Sequence, residues 1–193
     1  EIFNVGGGFA VPYSIDDPIV EIEDYASIIC RKLKENIKKY SIDNVKLIIE
    51  PGRAIVARSG VAIYTIGGIK EIPNLRKYVS VDGGMADNIR PALYGSKYSL
   101  FSVNKASLPH DEIVTIAGKY CETGDKLVEN VALPMPESND LIAIPVSGAY
   151  NFSMSSNYNV SLRPAIILIK SNGDLNILRR RETYDDILKL SGI

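Results

Sequence analysis

Gly6, Gly7 and Gly8 separate a short strand-like run, Ile2–Val5, from a long amphipathic stretch. In that stretch Ile22, Tyr25, Ala26, Ile29, Leu33, Ile37 and Tyr40 recur at three- and four-residue intervals, the spacing of one helical face. Asp17-Pro18 offers a cap and a proline suited to the first helical turn, which predicts that the helix starts there. The run Val45–Ile49 reads as a strand buried on both faces, as in a parallel sheet. Strand, glycine turn, helix and strand in this order fit a β/α barrel or a doubly wound sheet.

After Pro51-Gly52 the pattern changes. Strand-like runs follow at 54–66, 78–81, 113–117, 141–146, 165–170 and 175–179. Asn172-Gly173 lies between the last two and suits a type I′ hairpin turn. Helical periodicity returns only at Thr183–Leu190, where Thr183 is a candidate cap. Residues 1–53 are therefore expected to form one unit and residues 54–193 a mostly antiparallel β domain packed directly on it.

Net charge is -1, so neither nucleic acid nor an anionic membrane is an expected partner. No apolar run is long enough to span a bilayer, and the N-terminus lacks the pattern of a secretory signal. Two cysteines, Cys30 and Cys121, are too few for a disulfide framework, and the default location is a reducing cytoplasm. Cys30 lies beside the apolar stripe and reads as structural. The sole histidine, His110, reads as a surface-loop residue, and Arg179–Arg181 as a solvated face. No His and Cys spacing suits a metal.

Several short segments carry candidate chemistry. Gly7 and Gly8 allow backbone amides to approach a phosphate, although a tight turn would need the same residues. Glu50, Pro51, Gly52 and Arg53 follow the second strand, where parallel folds place ligands, although a Glu-Arg pair closing a loop is the competing reading. Arg90 and Tyr94 are four apart, so on a helical turn they share a face able to hold a carboxylate, although an Arg lying over a Tyr at the surface is the reading these two residues alone favour. Cys121 stands beside Glu122 and Asp125, surroundings that suit a proton donor better than a thiolate nucleophile, although a half-buried inert Cys is the reading these residues alone favour. The segment 148–159 is rich in small, hydroxyl and aromatic residues and reads as a loop that presents Tyr150 or Tyr158.

Taken in order, Gly-Gly-Gly-Phe-Ala-Val-Pro-Tyr at 6–13, Glu-Pro-Gly-Arg at 50–53, Asp-Gly-Gly-Met-Ala-Asp-Asn-Ile-Arg-Pro-Ala-Leu-Tyr at 82–94, Cys-Glu-Thr-Gly-Asp at 121–125 and Gly-Ala-Tyr-Asn-Phe-Ser-Met-Ser-Ser-Asn-Tyr-Asn at 148–159 resemble the diaminopimelate decarboxylases. So does Arg-Arg-Arg-Glu-Thr-Tyr-Asp-Asp-Ile at 179–187, and the resemblance runs over essentially the whole chain. It implies the fold shared with alanine racemase and ornithine decarboxylase. Residues 1–53 would be the last strand-helix-strand part of a β/α (TIM-type) barrel that binds pyridoxal 5′-phosphate (PLP). Residues 54–193 would be a β-barrel domain.

The resemblance also implies roles. Gly8, with Gly7, would hold the PLP phosphate, and Glu50, Pro51 and Gly52 would form a second phosphate-side loop. Arg53 would reach cofactor and substrate, Tyr150 would contact both, and Arg90 and Tyr94 would bind the substrate's distal end. Cys121 would deliver a proton after carbon dioxide leaves, and Glu122 would take the distal ammonium group. Cys121 and Glu122 would serve the partner subunit's site, which implies a homodimer with shared active sites. The lysine that binds PLP would lie upstream, so the chain is expected to be a C-terminal fragment, inactive without the N-terminal half. The expected reaction is decarboxylation of meso-2,6-diaminopimelate to L-lysine. A sister enzyme acting on ornithine, arginine or carboxynorspermidine, and a non-catalytic relative, are the alternatives.

Overall fold

The computed structural model describes residues 1–189. Strand β1 (Ile2–Asn4) runs into the glycine turn, helix α1 (Ile22–Tyr40) follows, and β2 (Lys46–Ile48) pairs in parallel with β1. Tyr25, Ile29, Leu33 and Ile37, one residue per turn, are the half-buried line of α1; Ile22 and Tyr40 at its ends are exposed. Glu23 and Asp24 in the first turn and Lys38 and Lys39 in the last complement the helix dipole, and Ser41 ends the helix in the left-handed region.

Three local expectations for this unit are corrected. The helix starts at Ile22, not at Asp17-Pro18. The Asp17 carboxylate accepts from the amides of Tyr13 and Ser14, which lie upstream, and so closes a turn instead of capping a helix. β2 is not buried on both faces: Leu47 and Ile48 are exposed, because β2 has β1 as its single neighbour among the described residues. Cys30 is exposed on α1 and has no place in the core.

Arg53–Val56 forms the short helix α2, and a 3₁₀ turn follows at Ala57–Ser59, where the sequence reads as strand. Tertiary packing overrides propensity here: Ala57 is fully buried, and its carbonyl accepts from Gly148. The main sheet then has the order β5-β8-β3-β4-β6-β7, with β3 at Ala62–Ile72, β4 at Arg76–Val81, β5 at Phe101–Ser102, β6 at Glu112–Ala117, β7 at Lys126–Leu133 and β8 at Leu141–Ile144. Within this sheet, among the described residues, only β4 and β6 pair in parallel. Residues 62–65 of β3 pair with β8, and from Ile66 onward the strand pairs with β4, across a bulge at Gly67-Gly68. The bulge bends β3 so that one strand serves both halves of the sheet. Helix α3 (Arg90–Tyr94), with Pro91 in its first turn, lies against β7.

The hairpin of β9 (Ile166–Ile169) and β10 (Leu175–Arg179) forms as expected, but its turn is not type I′. Gly173 alone takes a positive φ, and the Gly173 amide donates to the Lys170 carbonyl. That is a type I turn with a left-handed glycine, as in three-residue hairpin loops. Helix α4 (Tyr184–Leu188) starts after Thr183, whose amide donates to the Asp186 carboxylate at 2.9 Å. Leu190, the expected helix end, lies outside the described residues.

The core lies on one face of the main sheet. Alternate residues supply it: Tyr64 and Ile66, Val79 and Val81, Val114 and Ile116, Ile142 and Ile144, with Leu127, Leu133, Tyr98 and Leu100. The loop from β4 to α3 is braced by two carboxylates, the half-buried Asp87 and the buried Asp125. Asp87 accepts from the Gly84 amide at 3.0 Å, and Asp125 accepts from Met85 at 2.6 Å and Tyr120 at 2.8 Å. Burial pushes both carboxyl groups above the usual range.

Two predictions follow from this core. Ile116→Ala removes a fully buried side chain, and chemical denaturation should show a loss of about 2–5 kcal/mol. Asp87 and Asp125 bind protons more tightly when folded than when unfolded, so their contribution to stability is lost as pH rises through the folded values. Asp17, Glu182 and Asp186 are shifted down, chiefly by backbone hydrogen bonds or, for Asp186, by Arg180, and act in the opposite sense. The urea midpoint should therefore rise as pH falls through the folded values of Asp87 and Asp125, which lie above the ordinary carboxylate range, and fall again below about 4, where unfolded carboxylates take up protons. Asp87→Asn should flatten the upper arm; an unchanged arm would exclude Asp87 as a cause.

Candidate active site

A cleft of about 400 Å³ is lined by Arg53, Arg90, Tyr94, Tyr150 and Met154. Three segments far apart in sequence meet there. Arg53 opens α2, directly after the turn that ends β2. Arg90 and Tyr94 stand at the two ends of α3, and the Arg90 guanidinium lies 5.2 Å from the centre of the Tyr94 ring. Tyr150 projects from the loop after β8.

The two guanidinium groups share aromatic neighbours. Arg53 lies 5.6 Å from the Tyr13 ring centre and 5.4 Å from that of Tyr150. Arg90 lies 5.4 Å from Tyr13 and 5.9 Å from Tyr150. Arg90 is 6% exposed, and its Nε, like that of Arg53, is buried without a partner among the described residues. Neither arginine pairs with a carboxylate among those residues. A buried cation held by ring faces and left without a counter-ion attracts an anion from outside. Tyr98 lines the back of this cluster; burial raises its hydroxyl, and Arg90 opposes that shift.

The glycine turn adjoins the cleft through Glu50. The Glu50 amide donates to the Gly6 carbonyl at 2.8 Å, and Asn4 donates to the Glu50 carboxylate at 2.6 Å. A Cβ on Gly7 would overlap the Glu50 carbonyl oxygen, so this approach admits only glycine. Gly8 faces open space, and the Gly7 and Gly8 amides make no backbone hydrogen bond among the described residues. Such amides, at the C-terminal end of a parallel strand, suit a phosphate. Pro51 and Gly52 carry the chain from Glu50 to Arg53, and a Cβ on Gly52 would lie 3.2 Å from the Tyr150 hydroxyl.

Cys121 and Glu122 are not among the residues that line this cleft. Both are exposed in the turn between β6 and β7. Tyr158 donates to Glu122 at 3.4 Å and packs edge-on against Tyr120, whose hydroxyl is shifted up by burial. Tyr158 therefore belongs to the Glu122 side and Tyr150 to the arginine side. Sequence reading gave no role to Tyr13, Met154 or Asp125. Tyr13 closes the first family-like segment and was open to notice as an aromatic after a glycine turn; nothing local marks Met154.

Residues 13–148 match the family model described as the C-terminal sheet domain of pyridoxal-dependent decarboxylases. The diaminopimelate decarboxylase of Bacillus subtilis is 45% identical over 98% of this chain, and that of Synechocystis 44% over 96%. A diaminopimelate decarboxylase from M. jannaschii, solved in complex with L-lysine, superposes with a TM-score of 0.88 at 35% identity over 97% of the chain. The chain spans 43% of the Bacillus protein, 39% of the Synechocystis protein and 42% of the M. jannaschii structure. With the cleft, the sheet and these likenesses in agreement, the chain belongs to the pyridoxal-dependent decarboxylases and carries their C-terminal sheet domain.

Proposed function

We propose that this chain is the C-terminal share of a PLP-dependent decarboxylase that converts meso-2,6-diaminopimelate to L-lysine and carbon dioxide in the cytoplasm. The observation that carries the reading is the pair of arginines in one cleft that have no carboxylate partner among the described residues. The substrate has two carboxylates and loses one, so the other needs a cationic hold throughout. Ornithine has no distal carboxylate and gives Arg90 and Tyr94 nothing to bind.

The residues present fit the cofactor. The open Gly7 and Gly8 amides and the Glu50–Gly52 turn would hold its phosphate, with Arg53 and Tyr150 beside it. Bound PLP supplies an electron sink for the pair of electrons released when carbon dioxide leaves. Arg90 forks onto the distal carboxylate while Tyr94, 60% exposed, adds its hydroxyl at the cleft mouth. Cys121 donates a proton from its thiol, and Glu122, oriented by Tyr158, takes the distal ammonium group. The placement of Cys121 and Glu122 outside this chain's own cleft supports a homodimer in which each turn enters the other protomer's site. In the same reading residues 1–53 complete a β/α barrel with an N-terminal half that holds the PLP-binding lysine. The parallel pairing of β1 with β2 supports that division, as does the 43% share of the Bacillus relative.

The test uses the full-length polypeptide, loaded with PLP and assayed for carbon dioxide release. Release is expected from meso-diaminopimelate and not from ornithine or arginine; the reverse preference would overturn the reading. Arg90→Lys keeps the charge and loses the fork. It should raise KM for diaminopimelate about tenfold or more, the scale of one charged hydrogen bond.

A further inference from the structure

We propose that Tyr13 is a positioning residue that fixes the Arg53 and Arg90 guanidinium groups in the spacing a substrate carboxylate meets. The proposal rests on the substrate reading above and adds to it a residue that does not line the cleft.

Tyr13 is the firm member of the aromatic pair that both cations share. Its amide donates to Asp17 at 2.8 Å, and its carbonyl accepts from Ser99 at 3.2 Å. Its ring meets the buried Tyr98 ring edge-on at 5.0 Å and packs against the main core. Tyr150, by contrast, is 41% exposed and stands on a loop. Two like charges in one cleft repel, and no protein carboxylate among the described residues separates them. The electron-rich face of an anchored ring attracts both, so the rigidity of the core reaches the two guanidinium groups through Tyr13. The Tyr13 hydroxyl is buried without a partner among the described residues, so the ring is the working part of the side chain.

This separates the variants. In the full-length holoenzyme Tyr13→Phe keeps the ring and should leave KM and kcat for diaminopimelate within about twofold of wild type, since an unpaired hydroxyl is lost at little cost. Tyr13→Leu and Tyr13→Met remove the ring and should raise KM about tenfold with kcat changed less than about threefold, the signature of lost binding shared by ground and transition states. Calorimetry with L-lysine gives a readout apart from turnover: its Kd should rise with the two aliphatic variants and not with Tyr13→Phe. Melting curves and the PLP absorbance band identify folded, loaded protein, and Tyr13→Met, closer in length, serves if Tyr13→Leu fails to fold. Wild-type-like KM and Kd in a folded aliphatic variant would overturn the proposal, as would equal damage from Tyr13→Phe. A wild-type enzyme inert toward diaminopimelate would instead sink the substrate reading.

Discussion

The cleft depends on a backbone contact between Gly60 and Gly148. A Cβ on Gly60 would overlap the Gly148 Cα, and a Cβ on Gly148 would overlap the Val56 carbonyl oxygen. The contact is sealed by hydrogen bonds from Ser147 to Gly60 at 2.9 Å and from Gly148 to Ala57 at 3.0 Å. It clamps the end of α2, which carries Arg53, to the loop that carries Tyr150. Two residues beyond the clamp, Tyr150 sits at φ 66, in a region that costs a bulky residue about 1–3 kcal/mol. Ala149 and Asn151 on either side are buried and hold that backbone, while the Tyr150 ring itself is 41% exposed, 5.4 Å from Arg53 and 5.9 Å from Arg90.

Asp125 forms a second joint. Its carboxylate holds the amide of Met85, on the way to Arg90, and that of Tyr120, beside Cys121. Backbone bonds from Lys119 to Gly83 and from Gly118 to Asp125 run alongside. The loop that leads to Arg90 and the turn with the thiol are therefore tied to each other. The sheet itself contributes no side chain to the cleft; it fixes the roots of the segments that do.

The periodic parts were legible. The α1 stripe, the β9–β10 hairpin and most strands of the main sheet follow from residue spacing. Expectation failed where tertiary contacts decided. Ala54–Ala57 is apolar enough for a strand, but the Gly60–Gly148 clamp makes it helical. β7 went unseen because Glu129 and Asn130, the latter at φ 53, break the alternation. Asp17 looked like a helix cap, and nothing in the sequence tells whether such a carboxylate will turn to amides before or after it. β2 has the residues of a two-sided buried strand and one neighbour here, so its pattern reports what the strand suits better than what this span covers. At the site, each short segment was visible, but the meeting of Arg53, Arg90 and Tyr13 is a matter of three dimensions.

The charge arrangement explains why the arginines remain available. Asp82 and Asp87 lie in the loop that leads to Arg90, Asp125 braces that loop, and none of the three pairs with Arg90 among the described residues. Each is turned to backbone donors instead: Asp82 to the amide of Thr65, Asp87 to that of Gly84, Asp125 to those of Met85 and Tyr120. A buried ion pair would have satisfied Arg90 permanently and left a ligand to compete with a tethered carboxylate at high effective concentration. With the acids bound to the main chain, aromatic faces hold the cations, and a ring attracts a guanidinium without removing its capacity to bind an anion. The same acids stiffen the loop that presents Arg90, so the arrangement that keeps the cation free also keeps it in place.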